Sequence, residues 1–191
     1  KTNRIRLFII GGDEDENIRQ ASQLIQCHGE NANMHLYLFS NSAESSLLVQ
    51  SKPASGMKIR RIDEVKSLIS ETLYEAGADI FRTATPLEND EKLISIVILG
   101  LGVYGTELLK TLSWFGQMEN YRLMLTAIDS RENAESVFSF QCPELMDEKH
   151  NGTYETGEAQ YTISIHSGIN AMSERCIQII KELPSVSYVF V

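Results

Sequence analysis

A β-branched run that ends in three closely spaced glycines constrains this chain more than any other feature. Residues 94–100, ISIVILG, are typical of a buried strand, and residues 103–118 follow with the spacing of an amphipathic helix. Between them, Gly100, Gly102 and Gly105 have the spacing G-x-G-x-x-G. We expect Gly100 to permit a tight turn, Gly102 to let phosphate oxygens approach the backbone, and Gly105 to let helix and strand pack closely. The pattern predicts a diphosphate-binding turn at a helix N-terminus.

An acidic residue follows at the distance expected for a ribose-binding carboxylate. Asp129 ends the next predicted strand, 24 residues after Gly105, close to the usual spacing of about 20. A carboxylate there favours adenosine with a free ribose 2′-hydroxyl, and Arg131 leaves NADP open as the lesser alternative. We therefore predict NAD(H) or an adenine nucleotide, AMP or ATP, as the ligand. The predicted binding residues in this half are Gly100, Gly102, Val103, Tyr104, Gly105, Asp129, Ser130 and Arg131.

Strands and helices alternate through both halves of the chain. The predicted strands lie at 4–12, 33–40, 57–63, 94–100, 122–129, 161–167 and 187–191. The predicted helices lie at 13–30, where Gly29 stops the helix, and at 42–50, 64–77, 103–118, 133–140 and 170–183. This alternation predicts an α/β fold, a Rossmann-like parallel sheet with helices on both faces.

The helical and strand periodicity is interrupted at 80–92. This segment contains Pro86, Asn89 and Asp90, and we interpret it as a linker. Residues 1–79 are then one half-domain and residues 93–191 another, which carries the glycine turn and a polar insertion at 142–160.

Composition and charge narrow the class of protein. The chain of 191 residues is 42% hydrophobic, 23% charged and has a net charge of −9. So acidic a protein is a poor partner for nucleic acid or an anionic membrane surface, because both are negatively charged and bind positively charged proteins. No apolar run reaches the ~18 residues of a membrane span. Cys27, Cys142 and Cys176 lack ligand spacing and indicate small buried side chains in a cytoplasmic protein.

The stretch ILGLGVYGTELLKTL…TAIDSRENAE resembles the TrkA-N family, also called RCK domains (regulators of potassium conductance). The first half is similar to that family's fourth strand and the helix after it, followed by the fifth strand, a helix and the sixth strand. Asp13, Asp15 and Asn17 match an acid and an Asn that open this helix. The resemblance implies a cytoplasmic, nucleotide-binding regulatory domain, with Asp13 and Asn17 as further binding residues at the opposite lip of the crevice. It also implies a potassium channel or transporter subunit as a partner.

The resemblance places the halves in permuted order, the back of one domain before the front of the next. Both ends of the chain read as strand interiors, so we expect a segment of a longer protein. Each half alone leaves open strand edges and a small core. We therefore expect a homo-oligomer, a dimer, in which the halves rebuild one sheet, within one chain or by exchange between two. Gly11, Gly12 and Asp13 would then face the glycine turn, although the final SYVFV is a rival for the fourth-strand position.

Two other functions stay open. An NAD-dependent oxidoreductase would also need a proton-transfer residue and a substrate domain, and the sequence has no Tyr-x-x-x-Lys pair. A scaffold without ligand would keep the fold for oligomerisation alone. We predict no catalytic residue and no metal ligand, because the four histidines, His28, His35, His150 and His166, lack ligand spacing. The acids at 13–16 are typical of a first helical turn.

Overall fold

The computed structural model describes residues 4–50, 56–147, 151–152 and 161–191. The chain divides into two compact units, Lys1–Leu68 and Ile69–Val191. Each unit contains parallel strands flanked by helices, which confirms the predicted α/β class and is compatible with a Rossmann-like fold. The division falls inside a helix, whereas the predicted linker at 80–92 holds the end of that helix, a short strand and a 3-10 turn.

The first unit is a three-stranded parallel sheet in the order β1-β2-β3. Its elements are β1 (Ile5–Ile9), α1 (Glu14–His28), β2 (Met34–Phe39), α2 (Ala43–Gln50), β3 (Lys58–Ile62) and the first turn of α3 (Glu64–Arg82). The helix α1 ends before Gly29, as predicted. Its fully buried Ala21 packs with Leu36 and Leu38 of the central strand. The core of this unit lies between the sheet and the helices α1 and α2.

The second unit contains the rest of α3 and a second sheet. After α3 come β4 (Thr85–Pro86), a 3-10 turn (Glu88–Asp90), β5 (Lys92–Leu99), α4 (Val103–Phe115), β6 (Tyr121–Ile128), α5 (Ala134–Gln141), α6 (Pro143–Met146), β7 (Tyr161–His166), α7 (Glu174–Glu182) and β8 (Tyr188–Phe190). The strands β7, β6 and β5 are parallel neighbours in that order. The antiparallel β4 pairs with the first residues of β5.

The last strand, β8, settles which segment lies beside β5. It pairs in parallel with Ile96, Val97 and Ile98. The final SYVFV therefore takes the fourth-strand position, for which β1 was the rival. Within the described ranges β1 pairs with β2 alone, and the two sheets are separate.

The central strand β5 is buried on both faces, as its continuous apolar sequence predicts. On one face, Gly105 of α4 lies against Ile98. On the other face, Val97 clusters with Cys176 and Ile179 of α7. The helices α4 and α7 thus hold the end of β5 in place from opposite faces, and the glycine turn begins there.

The helix α3 is longer than predicted, because Gly77 does not end it. The helix continues to Arg82. A Cβ atom at Gly77 would lie 2.5 Å from the ring of Phe115 in α4. Phe115 also contacts Phe81, with ring centroids 5.5 Å apart. Gly77 therefore allows α3 and α4 to pack closely. In the sequence alone, a glycine with this tertiary role cannot be distinguished from one that ends a helix.

Further predictions concern the cysteines and the polar insertion. Cys142 and Cys176 are buried as predicted, but Cys27 is exposed near the end of α1, so the prediction was wrong there. Of the insertion at 142–160, the described part includes α6 and Asn151, whose side-chain oxygen accepts a hydrogen bond from the N–H of Ile163 at 2.8 Å. His150 lies outside the described residues. No helix in the described ranges has the length and apolar character needed to cross a bilayer.

Candidate functional site

The glycine turn joins β5 to α4 and has the geometry that its spacing predicts. Gly100 has φ +98°, a left-handed conformation that disfavours any side chain. A Cβ atom at Gly105 would collide with the carbonyl oxygen of Gly100. The structural roles predicted for these two glycines, a tight turn and close packing of helix on strand, are confirmed.

Gly102 differs from the other two glycines because the space beside it is open. It is the N-cap residue of α4 with an extended backbone, φ −60° and ψ −167°, and a Cβ atom here would have no atom of the described residues beyond its chain neighbours within 4 Å. Gly102 has no side chain with which to cap this helix, and the first turn of α4 contains no acidic residue. The first N–H groups of a helix lack intrahelical acceptors and carry the positive end of its dipole. The arrangement is an open cradle of backbone donors suited to an anion.

Asp129, at the end of β6, is tied to the glycine turn. Its Oδ2 accepts a hydrogen bond of 2.6 Å from the N–H of Leu101, the residue between the first two glycines. Its Oδ1 accepts bonds from the backbone N–H and from Nε of Arg131, at 2.8 and 2.9 Å. Its side chain is only 7% exposed. In this conformation Asp129 holds the turn in shape.

Arg131 closes the same network from the solvent side. Its Nη2 donates to the carbonyl oxygen of Leu101 at 2.6 Å and to Oδ2 of Asp129 at 3.2 Å. The hydrogen bonds from Arg131 have the largest effect on the pKa of Asp129. They outweigh the opposing effect of burial and lower this pKa to about 2. The same bond raises the pKa of Arg131. The pair stays ionised at every physiological pH.

The remaining predicted residues of this half line the rim of the turn. Val103 and Tyr104, at the start of α4, are 61% and 58% exposed. Ser130, between Asp129 and Arg131, is also exposed. The structure therefore brings together all eight residues predicted in this half, around the carboxyl ends of β5 and β6.

Asp13 and Asn17 lie in the first unit, where each has a local structural role. Asp13 is the N-cap of α1, and its Oδ1 accepts a hydrogen bond of 3.1 Å from the N–H of Glu16. Asn17 is 2% exposed, and its Nδ2 donates to the carbonyl oxygens of Gly11 and Phe39. Asn17 thus connects the ends of β1 and β2. Their predicted binding role stays a prediction.

The turn after β1 has the opposite electrostatic character to the turn after β5. A cavity of about 330 Å³ lies there, lined by Gly12, Glu14 and Ser40 among others. Burial raises the pKa of Glu14, but hydrogen bonds from the Ser40 hydroxyl and the N–H groups of Asn41 and Ser42 outweigh it, so the pKa is lowered. The carboxylates of Asp13, Glu14 and its neighbours occupy the positive end of α1. A phosphate is disfavoured at this helix.

Two residues of the glycine turn, Leu101 and Thr106, were not among the predicted site residues. Leu101 presents its N–H to Asp129 and its carbonyl oxygen to Arg131. Thr106 donates its hydroxyl hydrogen to the same carbonyl oxygen at 2.9 Å. The spacing D-x-R at 129–131 was the available signal, because an Arg two residues after a carboxylate can fold back onto it. The role of Leu101 has no sequence signal, since it uses only backbone atoms.

No protein-family model matches the chain, and no curated protein or solved structure is detectably similar to it.

Proposed function

We propose that the second unit binds the phosphate groups of NAD(H) or of an adenine nucleotide at residues 100–105, and that it does so as a regulatory, ligand-sensing domain. The observation that carries the proposal is the uncapped first turn of α4. Among the described residues, no atom fills the space beside Gly102, and the first turn of α4 contains no acidic residue of its own. A parallel α/β sheet binds ligands at the carboxyl ends of its strands, beside the point where strand order reverses. That point lies between β5 and β8.

A comparison of the two strand–helix turns supports this choice of site. Both turns contain a glycine with open space where its Cβ would be, Gly12 before α1 and Gly102 before α4. The first turn of α1 carries three acids and a side-chain cap, whereas α4 has neither. An anion therefore gains from the dipole of α4 and is repelled at α1.

The proposal is tested by isothermal titration of the chain with NAD⁺, NADH, AMP and ATP. We expect saturable binding by the wild type and its loss in Gly102→Asp, which places a carboxylate where the phosphate would lie. The matched control is Gly12→Asp, which adds the same charge at the open glycine of the other turn and should leave binding unchanged. Equal affinity in Gly102→Asp and the wild type would refute the site, and no binding of these ligands or of NADP⁺ would refute the function.

A second measurement distinguishes a regulatory domain from an enzyme. A sensing domain should leave NADH unoxidised when it is incubated with 2-oxo acids, and its absorbance should stay constant. Ligand binding should instead change the hydrodynamic radius or the oligomeric state. Turnover of NADH would favour the oxidoreductase alternative.

A further inference from the structure

We propose that Arg131 makes this site selective for a nucleotide that carries a phosphate monoester on its adenosine ribose, as NADP(H) does, over one with free ribose hydroxyls. The inference rests on the proposed function and refines its ligand class. It reverses the preference that the sequence predicts from Asp129 alone. The basis is that Asp129 is the buried member of the pair and Arg131 is the member that faces solvent.

The carboxylate of Asp129 has no remaining capacity for ribose hydroxyls. A carboxylate accepts about four hydrogen bonds, two at each oxygen. The N–H of Leu101 and Nη2 of Arg131 occupy Oδ2, while the backbone N–H and Nε of Arg131 occupy Oδ1. A ribose hydroxyl that donates to Asp129 would have to displace one of these four donors.

The guanidinium of Arg131 is the outer member of the pair. Its side chain is 47% exposed, against 7% for Asp129. Nε and Nη2 are used by Asp129 and Leu101, but Nη1 donates no hydrogen bond to any residue that the structure describes. A ligand that approaches the end of β6 therefore meets N–H donors and positive charge rather than a carboxylate.

The pair also fixes the guanidinium in place before a ligand arrives. Three hydrogen bonds from its side chain, two of them to a charged acceptor, hold the plane of Arg131 against the turn. An Arg that is already oriented loses less side-chain entropy when it binds a phosphate. Ser130, exposed between the two residues, offers a hydroxyl at the same rim.

The neighbouring carboxylate of Glu132 is consistent with a phosphate-binding role for Arg131. Glu132 follows Arg131, and its carboxylate lies against Gly168 in the loop after β7, where a Cβ would be 2.6 Å from Oε2. The N–H of Gly168 donates to the carbonyl oxygen of Arg131 at 3.0 Å, so the two loops are joined through their backbones. The acid thus contacts the neighbouring loop, while Arg131 contacts the glycine turn.

The test is a titration of the intact chain with NADP⁺ and NAD⁺. We expect NADP⁺ to bind at least tenfold more tightly, which is about 1.4 kcal/mol. In Arg131→Gln the two affinities should become nearly equal, through a loss of NADP⁺ affinity. Arg175→Gln removes an exposed Arg from α7 and is the matched control, for which the preference should persist. A thermal unfolding curve of each variant shows whether it is folded, and Arg131→Lys, which keeps the charge, should retain part of the preference if Arg131→Gln is unfolded.

The position of the phosphate is read from smaller probes. Tighter binding of 2′,5′-ADP or of 3′,5′-ADP than of 5′-ADP supports the proposal, and the better of the two identifies which ribose hydroxyl bears the phosphate. Equal or tighter binding of NAD⁺ than of NADP⁺ would overturn the proposal but leave the proposed function standing. Tighter NAD⁺ binding in Arg131→Gln would do the same, because it would show that freed Asp129 binds ribose. Binding of neither dinucleotide would overturn both.

Discussion

Gly102→Asp is expected to change stability and ligand binding in opposite directions. Gly102 is the N-cap residue of α4, its extended backbone suits any residue, and a Cβ atom there would lie more than 4 Å from every atom that the structure describes beyond its chain neighbours. Asp at an N-cap stabilises a helix by a few tenths of a kcal/mol relative to Gly, and its charge adds ~0.3–1 kcal/mol through the dipole. The free energy of unfolding should therefore increase by about 0.5–1 kcal/mol.

The same carboxylate should abolish the stabilisation that a nucleotide confers. A ligand at 100 times its Kd adds about 2.7 kcal/mol to the stability of the wild type. For a chain of this length, 1 kcal/mol raises Tm by about 2–4 °C. Wild type with ligand should therefore melt roughly 5–10 °C higher than wild type alone, whereas Gly102→Asp should melt about 1–4 °C above unliganded wild type and show no ligand shift.

Differential scanning calorimetry with and without NAD⁺ or NADP⁺ measures both effects. A ligand shift of wild-type size in Gly102→Asp would refute the anion cradle at α4. A lower Tm without ligand would refute the statement that the first turn of α4 is uncapped. Gly12→Asp serves as the charge control.

Three further predictions concern the packing and ionisation around the turn. Gly105→Ala should destabilise the protein by about 1–3 kcal/mol in denaturant unfolding, because its Cβ collides with the Gly100 carbonyl. The control Gly12→Ala, with open space around its Cβ, should have a stability near that of the wild type. An equal effect of the two substitutions would contradict the close packing of Gly105 on Gly100. Gly77→Ala should be destabilising by a similar ~1–3 kcal/mol, because its Cβ would press on Phe115, and a wild-type midpoint would show that α3 does not approach α4 so closely. The pKa of Asp129 is lowered in the folded state, from 3.8 to about 2, so its stabilisation is complete above about pH 4 and is lost as the pH falls towards about 2. Unfolding free energies measured across that range should fall more steeply in wild type than in Asp129→Asn, and parallel curves would contradict the ion pair.

The strand and helix that flank the glycine turn were predictable because local and tertiary signals agree there. The run ISIVILG forms a buried strand, and the glycine spacing gives a turn whose φ at Gly100 only glycine adopts readily. The binding of Asp129 to Leu101 was not predictable from type and spacing alone. It depends on backbone atoms of a turn 28 residues away in sequence.

Other departures from the predictions have tertiary causes. Gly77 lies inside α3 because Phe115 requires the space of its missing side chain. The assignment of the fourth strand could not be made from sequence, because RIRLFII and SYVFV have the same strand character. The pairing of β8 with β5 depends on contacts that periodicity does not encode.

In the proposed complex, the phosphates of the nucleotide bind the main-chain N–H groups at the start of α4. A ¹H–¹⁵N correlation titration of the chain with NADP⁺ tests it most directly. The largest amide shifts should occur at Gly102, Val103, Tyr104 and Gly105, with a smaller response at Arg131. Shifts concentrated instead around Gly11 to Glu14 in the first unit, with the start of α4 unchanged, would contradict it.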